Sequence, residues 1–163
     1  MPDPDPTPAE GDVPDVVSVE RVIPAPASAI FDLLADPARH ADIDGSGSVQ
    51  GSRTGSERLA LGSRFGMSMK IGVPYSMVST VIEFEDDRRI AWRTNGPTAI
   101  GRFVGGRVWR YVLEPVDGGT RVTESWDIRG ESIVTKPVVR MGGRDAARNM
   151  SRTLERIEQL VTS

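Results

Sequence analysis

Apolar and polar positions change rhythm twice along this chain of 163 residues. Residues 15–23, DVVSVERVI, are rich in β-branched side chains and predict a first strand. In the next stretch, Ala27, Ile30, Phe31 and Leu34 recur at helical spacing. Pro26 suits the first turn of that helix, where a missing N–H costs nothing, and Pro37 ends it by excluding Asp36 from the α region. A second short helix is predicted from about Pro37 to Ala41 and carries His40.

The period then falls to two. Val49–Arg53 predicts a short, weak strand. In residues 63–72, Phe65, Met67, Met69 and Ile71 share one face. Residues 75–85 and 89–94 predict two further strands around a polar turn, the second bearing Trp92. Glycines between Asn95 and Gly106 mark a long loop or a broken strand. Residues 107–115 place Arg107, Trp109, Tyr111 and Leu113 on one face. After the turn VDGG (116–119), residues 120–130 align Val122, Glu124, Trp126 and Ile128. A four-residue turn puts Tyr111 opposite Glu124, whereas a slip of two would bring Leu113 there. The period finally returns to helical: Ala147, Met150, Leu154, Ile157 and Val161 form one stripe, with Gly142–Gly143 a bend or break at its start.

One strand, two short helices, about six more strands and a long helix predict an α+β fold. Connections that look like hairpins make the sheet antiparallel, and one of its faces needs cover. The long C-terminal helix is the only amphipathic element large enough. A strongly curved sheet around one helix leaves space between them, a natural small-molecule cavity.

Composition removes several alternatives. With no cysteine there is no disulfide, thiol nucleophile or cysteine-held metal, and a reducing, cytoplasmic setting is expected. A net charge of −3 without a basic block argues against nucleic acid. No apolar run is long enough for a membrane span. The acidic, proline-rich residues 1–14 lack the features of a signal peptide and are expected to be a flexible tail before one domain at 15–163. The domain is expected to be a monomer or homodimer.

The element order, together with VSVERVIPAPASAIFDLLADPARH, WRYVLEPVDGGTRVTESWDI and the closing LERIEQL, resembles the SRPBCC superfamily, also called START-like or birch-pollen-allergen-like. Within it, the chain is most similar to the bacterial polyketide cyclase/dehydrase group. The resemblance covers residues 15–162. It implies a helix-grip fold, in which a curved antiparallel sheet of six to seven strands wraps around the C-terminal helix, with two short helices after the first strand. It also implies an elongated apolar pocket and no fixed catalytic residue.

The expected pocket wall comprises Phe31, Met67, Met69, Trp92, Trp109, Tyr111, Glu124, Trp126 and Met150. Aromatic rings give it rigid apolar surface and methionines adapt to irregular ligands. Glu124 falls on an aromatic face, where a carboxylate needs a partner or a proton; Tyr111 and Arg107 are the candidates. Glu124, Tyr111 and His40 are the candidate proton-transfer groups. His40, Asp42 and Asp44 lack the spacing of a calcium loop, so HADIDGSG reads as a turn-forming rim of the pocket, with His40 near a helix C-terminus, where a cationic ring meets the dipole favourably. Neither a metal nor a cofactor is expected. GRFVGG lacks the lysine ending of a phosphate loop and no G-x-S-x-G elbow occurs. Arg88, Arg89, Arg93, Arg102, Arg107 and Arg110 are expected on the solvent face or at the pocket entrance, and Asn95–Gly106 and Gly142–Gly143 are candidate lids.

The leading expectation is binding of a hydrophobic or aromatic small molecule, lipid- or polyketide-like. An aromatase/cyclase or dehydrase, and a ligand-free regulatory or interaction module, are the alternatives.

Overall fold

The computed structural model describes residues 13–52, 57–96 and 105–163. Most of the tail, Arg53, Arg102 and the centre of the glycine-rich segment lie outside the described residues. The chain opens with β1 (Val16–Ile23), followed by α1 (Ala27–Leu34). Pro26 stands just before α1 with an extended backbone, so its ring does not interrupt the helical hydrogen bonds. Ile30, Phe31, Leu33 and Leu34 form the buried face of α1. The expected second helix is a 3-10 turn, Pro37–Arg39, running into α2 (His40–Ile43). The Asp36 carboxylate accepts from the Ala38 N–H at 3.0 Å and caps that turn.

Six further strands follow: β2 (Val49–Ser52), β3 (Arg64–Ile71), β4 (Val73–Glu85), β5 (Arg89–Asn95), β6 (Gly105–Val116) and β7 (Gly119–Asp127). They form one curved antiparallel sheet in the order β1-β7-β6-β5-β4-β3-β2. The β6–β7 turn sets the expected register, with Tyr111 opposite Glu124 and Leu113 opposite Val122. After β7 the chain makes α3 (Lys136–Met141) and α4 (Gly143–Thr162), so the paired glycines break the helical segment rather than bend it. No helix among the described residues is long and apolar enough to cross a membrane.

The space between sheet and α4 is filled unevenly, and the side chains of α4 explain why. Toward its C-terminus, Leu154 and Ile157 interlock with Ile23, Ile30, Phe31 and Leu34 in a solid core. Burying each such side chain contributes roughly 1.5–3 kcal/mol. Toward its N-terminus the inward positions are small: Gly142, Gly143 and Ala146. Met150, Leu154 and Ile157 of the expected stripe are buried; at its start Ala146 takes the buried position and Ala147 is only half-buried. Gly143 and Ala146 pack against Trp126, and beside them, where Gly142 and Ala146 add no bulk, a hollow remains.

Candidate ligand-binding cavity

The hollow has a volume of about 440 Å³ and lies between the inner face of the sheet, α2, the β2 edge and the first half of α4. Strand alternation builds its wall. Phe65, Met67 and Met69 face it from β3, Trp92 from β5, Trp109 and Tyr111 from β6, and Glu124 and Trp126 from β7. Trp92 lies opposite Trp109, and Trp109 opposite Trp126, so three indoles form a row across three adjacent strands. Met150 closes the wall from α4. The most exposed lining side chains are Ser46, Tyr75, Val138 and Asp145, which therefore mark the mouth.

Phe31 is a correction. It does not line the cavity; it is fully buried in the solid end of the core, with its ring edge-on to Phe84 at 5.3 Å between centroids. Helix α1 packs over the end of the sheet where Leu154 and Ile157 leave no space, and its aromatic residue belongs to that packing.

At the floor, the Tyr111 hydroxyl donates to Glu124 Oε1 at 2.7 Å. Glu124 is 2% exposed, and its Oε2 is buried with no hydrogen-bond partner among the described residues. Burial pushes the Glu124 carboxyl up to about 8, against the opposing effect of the Tyr111 hydrogen bond and with a small upward contribution from Asp44. At neutral pH the group holds its proton. A protonated carboxyl accepting on Oε1 carries an O–H on Oε2, free to donate into an apolar space. Burial and the neighbouring Glu124 likewise push the Tyr111 phenol well above its ordinary range. Arg107, the other partner expected for Glu124, instead faces Glu131, with Nε and Oε2 3.6 Å apart.

Tyr111→Phe removes the interaction that holds the Glu124 carboxyl down. Its titration is expected to move further up, followed through the infrared carbonyl band of the protonated acid against pH. Leaving Oε1 unpaired costs about 1–3 kcal/mol of stability. A downward move in the titration would contradict the assigned roles.

The segment HADIDGSG divides among three tasks. His40 Nε2 lies 2.9 Å from the Leu34 carbonyl, which can only accept, so Nε2 carries the proton. The ring stacks on Trp92 at 5.0 Å and meets Phe65 edge-on at 5.4 Å. Burial lowers its pKa, against the Leu34 hydrogen bond, so the ring is neutral. This corrects the expected cation at a helix C-terminus: a neutral imidazole caps the last carbonyl of α1 instead and forms part of the cavity wall. Asp42 pairs with Arg39 at 2.7 Å. Asp44 accepts from the N–H groups of Ser46 and Val49 and from the Ser46 hydroxyl, shaping the turn. The three side chains serve different partners and do not converge. Asp44 and Ser46 nevertheless line the cavity, so the segment is one rim of it.

Several lining residues lie outside the wall expected from the sequence. Phe65 was legible, since it shares a face with Met67 and Met69. Tyr75, Met77 and Ser79 continue the same alternation on β4. Ser79 and Thr94, opposite each other, join hydroxyls at 2.9 Å in the buried wall. Thr153 faces inward from α4 although polar, because its hydroxyl bonds the Asn149 carbonyl and receives the Gly45 N–H.

Residues 15–162 match the model of a family described as polyketide cyclase/dehydrase and lipid transport. The uncharacterized protein Rv0088 of Mycobacterium tuberculosis is 35% identical over 116 residues, which are 70% of this chain and 48% of that protein. The chain thus spans about half the length of the curated relatives it matches. Among solved structures, protein CV1439 of Chromobacterium violaceum aligns with a TM-score of 0.70 at 14% identity, covering 91% of this chain and 98% of that one. The di-domain ARO/CYC StfQ from the steffimycin biosynthetic pathway aligns with a TM-score of 0.69 at 10% identity, covering 90% of this chain and 50% of that one. At such identities the two structures establish a shared helix-grip fold.

Proposed function

Because the chain belongs to the polyketide cyclase/dehydrase and lipid-transport family, we propose that it binds a hydrophobic or aromatic small molecule between its sheet and α4. The observation that carries this reading is the cavity of about 440 Å³ faced by three indoles. That volume is in the range of small-molecule sites, which are mostly apolar with a few placed polar groups. Here those groups are the Glu124 carboxyl and the Tyr111 hydroxyl that orients it. A ligand carbonyl or ether oxygen laid against Oε2 would satisfy the Glu124 oxygen that lacks a partner among the described residues.

A second reading, a cyclase or dehydrase acting on a polyketide chain, draws support from the same acid. A buried carboxyl pushed up to about 8 in a mostly apolar pocket is suited to protonate a ligand carbonyl or hydroxyl and to recover the proton afterwards. His40 is a weaker candidate for that role, since its protonated nitrogen is committed to the Leu34 carbonyl.

N-Phenyl-1-naphthylamine, a neutral apolar fluorophore, tests the cavity directly. Its emission is expected to rise on binding. Met77→Trp, which places an indole in the space from β4, should weaken binding by about tenfold or more, with the thermal midpoint little changed. Absence of saturable binding to the parent protein would overturn the reading.

A further inference from the structure

Arg107 is the only cationic side chain among the described residues that line the cavity. Alternation with Trp109 and Tyr111 turns it inward on β6, and its side chain is 26% exposed. Its Nε is buried without a hydrogen-bond partner. Glu131, with a fully buried side chain, lies 3.6 Å away, and its facing oxygen Oε2 is also unbonded. The other oxygen, Oε1, accepts from the Gly105 N–H and the Thr135 hydroxyl, each at 3.0 Å. Glu131 therefore fixes the guanidinium by charge without taking up its donors. Those five N–H donors meet no hydrogen-bond acceptor among the described residues. A guanidinium stays charged throughout the physiological range, so the donors cannot be discarded by deprotonation.

The acidic groups around the cavity are differently placed. Asp44 is engaged by Ser46 and Val49, and Asp145 pairs with Arg148 at 3.5 Å. Glu124 holds its proton at neutral pH. Tyr75, at the mouth of the same cavity, stands in the field of Arg107.

We infer that Arg107 and its Glu131 support form an anion-recognising subsite, so that the ligand is an amphiphile bearing one carboxylate or similar anionic group. The inference rests on the small-molecule reading above and names the ligand class. The anionic group engages the Arg107 fork, and the apolar body crosses the indole row at Trp109 toward Glu124. Arg107 and Tyr111 are four residues apart on one strand, which separates their Cα atoms by roughly 13 Å.

Two probes with one skeleton test this. 1-Anilinonaphthalene-8-sulfonate carries an anionic group that N-phenyl-1-naphthylamine lacks. Arg107→Gln is expected to weaken the sulfonate about tenfold while leaving the neutral probe within about twofold, and Arg107→Lys to fall between them. In the parent protein, dodecanoate should displace the neutral probe at a concentration about tenfold lower than dodecanol, a comparison that needs no variant. Neutral-probe binding with no preference for dodecanoate, or an Arg107→Gln variant that weakens both probes alike, would overturn the subsite and leave the cavity reading standing. No neutral-probe binding in the parent would remove the cavity reading itself.

Discussion

With glutamine at position 124, unfolding stability should no longer decline between about pH 5 and 8, a decline expected of the parent protein. The folded chain holds the Glu124 proton up to about 8, whereas the unfolded chain releases it near the ordinary value of 4.5. Between those values the folded state binds a proton that the unfolded state lacks. Stability from this group is full below 4.5, falls as pH rises by about 1.4 kcal/mol per pH unit, and levels off above 8. The total is on the order of a few kcal/mol. Glutamine keeps an acceptor for the Tyr111 hydroxyl and an N–H in place of the acid O–H, so it removes the titration and retains the shape.

Other carboxyls act at the opposite end of the scale. Hydrogen bonds from Arg140, Arg110 and Arg129 hold Asp15, Glu83 and Asp127 below the usual carboxylate range. Their stabilisation is present above the unfolded values and lost in acid, and it is modest because these pairs are solvent-screened. Urea midpoints measured across pH for both proteins check the expectation. A Glu124→Gln variant with the same neutral-to-alkaline decline would show that Glu124 is not the group responsible.

The second large effect is expected at Gly45. A methyl group there would meet the Asn149 carbonyl at 2.1 Å and the Thr153 nitrogen at 2.6 Å. Both are backbone atoms of α4, so relief requires moving the rim or the helix. The Gly45 N–H also donates to the Thr153 hydroxyl at 3.0 Å and would lose that partner as the rim lifts. Gly45→Ala should cost about 3 kcal/mol. Gly47, two residues on, has φ +71, and a methyl group added there would find no atom within 4 Å. Gly47→Ala should cost only about 1–2 kcal/mol, from backbone conformation alone. Equal shifts in urea midpoint for the two variants would remove the argument that the rim is seated on α4 by contact.

What is legible in the sequence follows from local rules. Alternation places Trp109, Tyr111, Glu124 and Trp126 on one surface, and the length of VDGG aligns Tyr111 with Glu124. Gly142–Gly143 marks a true break between helices. The departures arise where distant segments decide. Phe31 has the character of a wall residue, but only the packing of α1 against Leu154 and Ile157 shows that no hollow exists there. Arg107 is a reasonable partner for Glu124 on the strand pattern alone, yet Glu131, beyond the end of β7, claims it. Chain position assigns His40 to its own helix, whereas its ring serves the helix before it.

The strand order carries a consequence for how the domain is made. Val16 pairs with Asp127 and Ile23 with Thr120, so among the described strands the earliest in sequence has its partner in the latest. At about 5–20 residues per second, β1 waits roughly 5–20 s for β7 to be synthesised. Each of β3 to β7 pairs with its predecessor in sequence, and β2 lies at the opposite edge from β1. The late, long-range closure of β1 is therefore the step expected to slow folding. During the wait, Glu20 and Arg21 near the centre of β1 place charge on an unpaired edge, a safeguard against pairing with another nascent chain.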